Sequence, residues 1–145
     1  MILDAQNLFD QANAITVTRN STNVIDLVKT GLNIGLGRPF FIYVTVTTAF
    51  TADGAATLQV ALVTDDNASL SSLTTLQDLP AVIAVASLVA GFSFSFYIHP
   101  TSVMEQYLGL IYTVATGPMT AGKVTAGIAL QVPGYTAYPR NYPVA

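Results

Sequence analysis

The run from Phe40 to Thr48 alternates apolar and polar side chains, and this period of two restricts the chain to β-structure more firmly than any other feature. In a strand, successive side chains point to opposite faces, so the apolar members of the run share one face. Further runs with strand character follow along the chain. They cover residues 14–18, 24–27, 57–64, 82–89, 92–98, 107–115 and 124–132. Together the runs predict about eight antiparallel strands in one domain that spans residues 1–145.

An all-β chain must stack or close its sheets to cover the edges of its strands. A sandwich, a jelly roll and a small barrel all achieve this, and the period of the pattern does not distinguish them. Residues 82–89 are apolar almost throughout, which predicts a strand buried on both faces. Only Asp4–Asn13 has the pattern of a short helix, with Asp4 as its cap. Alternation within the runs predicts the core residues Ile42, Val44, Leu58, Val60, Phe94, Phe96, Leu110 and Ile128.

Charged residues make up 9% of the chain, whereas about 25% is usual for a soluble domain. A surface with so little charge is either covered by partners or composed of Ser, Thr, Asn and Gln. We therefore predict a homo-oligomer, either a dimer or a trimer, whose strand edges are paired or covered. Five basic residues against eight acidic ones give a net charge of −3, which argues against binding to a nucleic-acid backbone.

The stretch Leu79–Ile98 is long and apolar enough to raise the question of a membrane span. It contains Pro80 and Gly91, its second half alternates with a period of two, and no Lys or Arg flanks it. These features favour two packed strands, so we expect no membrane association. The opening Met1–Asp4 lacks the basic and apolar regions of a secretion signal, which predicts synthesis in a cytoplasm.

The residues that could carry catalysis or bind a metal stand in no recognisable arrangement. The single histidine, His99, closes a predicted strand, and no Gly-x-Ser-x-Gly turn supplies a nucleophile. The turn at Asp65–Asn67 lacks the glycine and glutamate of an EF-hand calcium loop, since Leu70 and Leu76 occupy those positions. The chain also has no cysteine. We therefore predict no enzyme activity, no catalytic residue, no cofactor and no metal site.

The two ends of the chain differ from the alternating body at residues 13–133, and we interpret residues 1–12 and 134–145 as extended arms. The C-terminal arm combines three tyrosines with two prolines. Proline favours extended backbone, and tyrosine offers a broad contact area with a polar tip. We expect the arms to contact neighbouring subunits through apolar anchors. These anchors are Leu8, Phe9, Tyr135, Tyr138 and Tyr142.

Three segments, Met1–Phe9, Ser21–Leu27 and Leu130–Tyr135, resemble a family of bacteriophage capsid cement, or decoration, proteins. The resemblance implies a jelly-roll-like β-sandwich on the outer surface of an icosahedral shell. It also implies a structural virion protein that binds neighbouring major capsid proteins and clamps them together. The low charge agrees with this role, because a shell-bound protein loses surface to its neighbours. Mild acidity is compatible with a position outside the packaged DNA.

Two other functions stay open. One is a carbohydrate-binding or adhesin-type sandwich of a tail or fibre, which requires exposed aromatic rings beside polar groups. Its candidate residues are Tyr43, Tyr97 and His99. The other is a polysaccharide-cleaving enzyme, which needs two carboxylates across a sugar, and the sequence indicates no such pair. The number of copies per particle distinguishes these functions, because cement proteins are abundant whereas fibre subunits are few.

Overall fold

The computed structural model describes residues 4–28, 39–79, 81–98 and 104–131. Within these ranges the chain forms β-strands and two 3-10 helices, Ala5–Asn7 and Val85–Ser87, and no described helix is long and apolar enough to cross a bilayer. The strands are β1 (Leu8–Ala14), β2 (Arg19–Asn20), β3 (Ile25–Asp26), β4 (Phe40–Ala52), β5 (Thr57–Asp65), β6 (Thr74–Asp78), β7 (Ile83–Ala84), β8 (Ser93–Ile98), β9 (Tyr107–Ala115) and β10 (Met119–Ala129). The predicted all-β class is thereby confirmed.

The strands form two antiparallel sheets that pack face to face as a sandwich. The front sheet has the order β1–β10–β4–β8. The back sheet has the order β2–β9–β5–β6, with β3 continuing β2 along β9 and β7 continuing β6 along β5. If each broken strand is counted once, the described residues form eight strand positions, the number that the sequence predicted. With β2 and β3 counted as one strand and β6 and β7 as another, the chain crosses between the sheets at every connection except the β5–β6 turn, which is the wrapping of a jelly roll.

The apolar layer between the two sheets contains every core residue that the alternation predicted. Six of them are buried, whereas Phe94 and Ile128 pack against the core from half-buried positions. Phe94 keeps some exposure because β8 is the edge strand of the front sheet and has a neighbour on one side only. The core also includes large rings that the alternation did not select, among them Phe9 and Tyr112.

The predicted helix at Asp4–Asn13 is wrong. After one 3-10 turn, the chain enters β1, whose backbone pairs with β10. The register of this pair shifts between Leu8 and Asp10 and again before Asn13, so the period of two is broken. Phe9 and Asp10 are adjacent and both buried, a pattern that a regular strand does not produce. The described part of the predicted N-terminal arm therefore belongs to the folded body.

The predicted buried strand at residues 82–89 is also wrong. Only Ile83–Ala84 pairs with β5, and Val85–Ser87 then forms a 3-10 turn. Val82 and Val89 are 58% and 55% exposed. Because almost every residue of this run is apolar, its composition gives no indication of which side chains face solvent.

The two ends of the sandwich are built differently. At one end, which we call the closed end, three short links carry the chain between the sheets: residues 15–18, 53–56 and 116–118. The first of these includes most of a run predicted as a strand, and the second contains the predicted Asp53–Gly54 turn. The strand ends that flank residues 29–38 and 99–103 lie at the opposite end, together with the end of β10. We call this the open end.

Candidate interaction surfaces

The outer face of the front sheet carries hydroxyl groups and aromatic rings and almost no charge. Strands β4 and β8 alternate between inward apolar residues and outward residues such as Tyr43 and Tyr97. The charged residues in the four strands of this sheet are Asp10, which is buried, and Lys123, which is exposed. A free domain usually carries charge of both signs across its surface. This outer face is therefore the first candidate for a contact with another molecule.

Three aromatic side chains lie next to one another on this face near the open end, and we call them the aromatic patch: Phe41, Tyr43 and Tyr97. Phe41 pairs with Tyr97 across β4 and β8, and their ring centroids are 6.1 Å apart. Tyr43 lies two residues further along β4 on the same face. Tyr97 is 47% exposed, so the patch is open to solvent. The structure thus brings together two residues that the sequence selected as glycan candidates, and it adds Phe41.

The two apolar anchors predicted in the N-terminal arm face opposite sides of β1. Phe9 is 0% exposed and packs in the core, so in this fold its side chain is not available to a neighbouring subunit. Leu8 is half-buried and pairs with Gly127 of β10, which in turn pairs with Tyr43. A Cβ atom at Gly127 would lie 2.9 Å from the Asn7 carbonyl oxygen and 3.2 Å from Leu8 Cδ2, so the glycine leaves room for the start of β1 against β10. Leu8 also borders an open groove of about 360 Å³ between β1 and residues 22–23.

A partly buried polar cluster connects the edge of the front sheet to the back sheet. Arg19 donates one hydrogen bond to Asp10 Oδ1 at 3.1 Å and another to the carbonyl of Ala14 at 3.0 Å. Asp10 Oδ1 also accepts from Asn13 Nδ2 at 2.8 Å. The guanidinium lies over the ring of Tyr112, 5.1 Å from its centroid. We call Asp10, Arg19 and Tyr112 the edge clasp, because they connect β1 to β2 and β9.

Among the described residues, Asp10 Oδ2 and the hydroxyl of Tyr112 in the edge clasp are buried and make no hydrogen bond of regular geometry. Burial raises the pKa of Tyr112 well above its ordinary value, and the nearby charge of Asp10 raises it further, although Arg19 acts in the opposite direction. The phenol therefore stays protonated at neutral pH. A hydroxyl that is buried and neutral is poorly suited to attack or deprotonate a substrate, so the clasp is better explained as a structural element.

A second buried carboxylate, Asp65, organises the turn between β5 and β6. Its Oδ1 accepts from the Asn67 N–H at 3.0 Å and from the Ser72 hydroxyl at 3.2 Å, and its Oδ2 accepts from the Ser72 N–H at 2.8 Å. Burial acts to raise the pKa of Asp65, but these hydrogen bonds outweigh it, and the pKa lies below its ordinary value. Both oxygens are thus used within the turn. Among the described residues, no three His, Cys, Asp or Glu side chains are grouped to hold a metal ion.

Single aliphatic side chains are exposed at both ends of the sandwich. Val17 is 57% exposed at the closed end, while Val28 and Leu130 are 74% and 83% exposed at the open end. Isolated exposed residues of this kind are common in soluble domains. Leu130 directly follows Ala129, the last residue of β10, which pairs with Phe41. Ala129 therefore extends the apolar surface of the aromatic patch to the end of β10.

The remaining candidates lie outside the described residues: Tyr135, Tyr138 and Tyr142 of the C-terminal arm, and His99. Their roles at an interface or in glycan binding stay predictions.

The sequence did not predict the edge clasp, because Asp10 and Tyr112 come from distant parts of the chain and only the packing of the two sheets brings them together. Arg19 could have indicated an ion pair with Asp10, because it is one of only five basic residues and lies close to Asp10 in the sequence.

Comparison with known proteins identifies one family match. The family model described as Bbp16 matches residues 9–128. The match begins in β1 and ends in β10, and it therefore covers nearly the whole sandwich. None of the curated proteins compared with the chain matches it.

Proposed function

This chain belongs to the Bbp16 family, and on that premise we propose that it is a structural virion protein of a bacteriophage, of the cement or decoration type. It binds the outer surface of an icosahedral capsid and holds neighbouring major capsid proteins together. The sequence segments that resemble cement proteins support this proposal, and the jelly-roll sandwich is the fold that the resemblance implies.

The observation that carries the proposal is the nearly uncharged outer face of the front sheet, with the aromatic patch near its open end. Burial of apolar surface contributes about 25 cal/mol per Å², and tyrosine combines a broad apolar ring with a hydroxyl that can hydrogen-bond at the edge of a contact. Charged side chains would have to lose hydration or find partners in such a contact. A face built from Thr, Ser and Tyr avoids most of that cost, which suits a lasting contact between proteins.

The rest of the molecule supports a role in holding subunits together. The edge clasp fixes β1 to the back sheet, and the short links of the closed end tie the two sheets to each other. In this proposal, residues 134–145 contact adjacent subunits on the shell. Each additional contact from a tethered segment is effectively intramolecular, so it strengthens attachment without a larger body.

We propose further that the protein acts as a homo-oligomer, a dimer or trimer, and that its partners include neither nucleic acid nor membrane. The few basic residues support the exclusion of nucleic acid. Arg19 is engaged in the edge clasp, and Lys123 is isolated on its face. In the described part of the chain, these two basic residues do not form the basic surface that phosphate recognition requires. The proposal includes no catalytic step, metal or cofactor.

A carbohydrate-binding or adhesin-type protein of a tail or fibre is the second candidate, and the aromatic patch favours it. Sugars stack on exposed rings, and Ser93 and Ser95 place hydroxyl groups on the same face of β8. The outward residues of β4 and β8 include no carboxylate or amide that would hydrogen-bond a sugar more selectively. We rank this function below the structural one for that reason.

Quantitative mass spectrometry of purified particles tests the proposed function. We expect the protein in a fixed, high ratio to the major capsid protein, and we expect purified protein to rebind particles from which it has been removed. A few copies per particle would favour the tail or fibre candidate. Absence from the particle would overturn the structural role.

Two matched variants test whether the aromatic patch makes the contact. Tyr97→Lys introduces a charge into the patch and should reduce occupancy on particles. Thr113→Lys introduces the same charge on the outer face of the back sheet, where Thr113 is exposed, and should leave occupancy unchanged. Equal occupancy of the two variants would exclude the patch as the contact. Loss of glycan binding by Tyr97→Lys, with occupancy preserved, would favour the second candidate.

A further inference from the structure

Each sheet of the sandwich has two edges, and three of these edges carry features that oppose pairing with a further strand. Strand β1 is irregular and contains the charged Asp10. Asn23 also bonds to its backbone, at 2.9 Å to the Phe9 carbonyl and 2.6 Å to the Leu8 carbonyl. Strands β2 and β3 contain two residues each, and β6 has a register shift and ends at the charged Asp78.

Strand β8, at the remaining edge, has none of these features. Its pairing with β4 runs from Ser93 to Ile98 without a register shift. Residues 93–98 include neither a charged side chain nor a proline. In the described part of the chain, β4 is the only strand that pairs with β8. A regular and uncharged edge of this kind is a template for another strand.

The hydrogen bonds between β4 and the start of β8 identify the backbone groups of β8 that point to its free edge. The carbonyl of Phe92 accepts from the Val46 N–H at 2.8 Å, so it points toward β4. This direction alternates along an antiparallel strand, and the even-numbered residues of β8 therefore also bond to β4. The N–H and C=O groups of Ser93, Ser95 and Tyr97 point to the free edge.

We propose that β8 pairs with β8 of a second copy of this chain, antiparallel and about a two-fold axis at Ser95, so that two front sheets join into one sheet in a dimer. In this register Ser95 lies opposite Ser95 of the second copy, and Ser93 lies opposite Tyr97. Every backbone group that β8 directs to its free edge then has a partner. Either neighbouring register that keeps the two faces matched places Ser93 or Tyr97 opposite a residue outside the strand.

The side chains of β8 favour its own copy as the partner. On the inner face, the half-buried Phe94 lies opposite Phe96 of the second copy and gains a neighbour on its open side. Aromatic pairs of this kind stabilise antiparallel strands. A two-fold contact uses the same surface of both chains, so a charge near the axis would face a like charge. Strand β8 carries no charge, and self-pairing therefore avoids that repulsion.

This inference names the interface of the homo-oligomer proposed above, and it rests on that part of the proposed function. It concerns the free protein and does not depend on binding to a capsid. A dimer formed through another surface would overturn the inference and leave the proposed structural role intact.

Disulfide formation between copies tests the register, because the chain has no natural cysteine. Residues opposite each other in a hydrogen-bonded antiparallel pair have Cα atoms about 5.5 Å apart, which a disulfide can span. Oxidised Ser95→Cys should therefore run as a covalent dimer on a non-reducing denaturing gel. Ser93→Cys is the matched control on the same strand and face. Its two copies would lie four residues apart along the pair, about 13 Å, and should form little covalent dimer.

Ser95→Pro tests the backbone contact itself. Proline removes the N–H at the two-fold axis without removing a hydrogen bond to β4, so the fold should persist while the dimer is lost. In sedimentation, the natural protein should have twice the mass of one chain and Ser95→Pro the mass of one chain, with the same circular dichroism spectrum. If Ser95→Pro fails to fold, the two cysteine variants decide the result.

Three results would overturn the proposal. The first is a natural protein that sediments as a single chain or as a trimer. The second is equal cross-linking of Ser93→Cys and Ser95→Cys, which would show that the register is not the proposed one. The third is a dimer that persists in folded Ser95→Pro, which would assign the interface to another surface.

Discussion

Phe9 and Leu8 are neighbours in the chain, but their side chains have different surroundings. Phe9 is buried in the core, whereas Leu8 lies half-buried on the outer face. Phe9→Ala should lower the free energy of unfolding by about 3–5 kcal/mol, because it leaves a cavity in a packed interior. Leu8→Ala should cost much less, since solvent fills the space. Urea unfolding followed by circular dichroism measures both values, and similar costs would contradict the assigned faces.

The same two residues show where alternation succeeds and where it fails. Ile42 and Val44 could be assigned to the core because β4 runs regularly through that region, and its burial alternates there. Phe9 could not be assigned, because the register shifts in β1 turn two adjacent residues inward. A bulge depends on the partner strand as much as on its own sequence, so a single-strand pattern does not reveal it.

Tyr112 makes the free energy of unfolding decrease as the pH rises in the alkaline range. Its folded pKa is raised, mainly by burial, so below the unfolded value of about 10 the phenol is neutral in both states. As pH rises above that value, the unfolded chain releases the proton while the folded chain retains it, and stability decreases. The free energy of unfolding, measured against pH, should fall more steeply in the natural protein than in Tyr112→Phe. Identical slopes would contradict this account.

The backbone of β10 requires a glycine at position 122. Gly122 has a φ of +142° and lies at the middle one of three register shifts with β4, and a Cβ atom there would overlap the ring of Phe50. Gly122→Ala should therefore cost about 1–3 kcal/mol through crowding and backbone strain. Gly54→Ala is the control, since its Cβ would meet only the Thr116 carbonyl at 4.0 Å. Thermal unfolding of both variants tests the difference, and equal melting temperatures would contradict it.

The sequence predicted the exact first and last residues of some strands and gave no indication of others. Tyr107–Ala115 was predicted as a strand with the bounds that β9 has, because turn residues border an apolar run. Thr74–Asp78 was not predicted, although it pairs with β5 as strand β6. Its residues are mostly polar, and the partner strand supplies the order that its own composition does not indicate. The run at residues 82–89 failed for the opposite reason, since nearly uniform apolarity conceals its exposed positions.

At the scale of the whole molecule, the sequence limited the fold to a few all-β architectures but did not distinguish among them. A sandwich, a jelly roll and a barrel remained open until the pairing of distant strands was known. The candidate site shows the same limit. The exposure of Tyr43 and Tyr97 could be predicted from alternation, but their shared surface depends on the pairing of β4 with β8. Contacts between residues far apart in the chain require the register, which a local pattern does not contain.

Attachment to the particle should depend weakly on salt if the outer face of the front sheet makes the contact. The screening length falls from about 8 Å at 0.15 M to about 3 Å at 1 M ionic strength, which weakens contacts between charges. Burial of aromatic rings does not depend on that length. Occupancy after washing particles at low and high sodium chloride should therefore be nearly equal, as measured by the ratio to the major capsid protein. Loss of most copies at high salt would contradict the assignment, because it would require a contact built on charges such as Asp78, an exposed acidic residue of the back sheet.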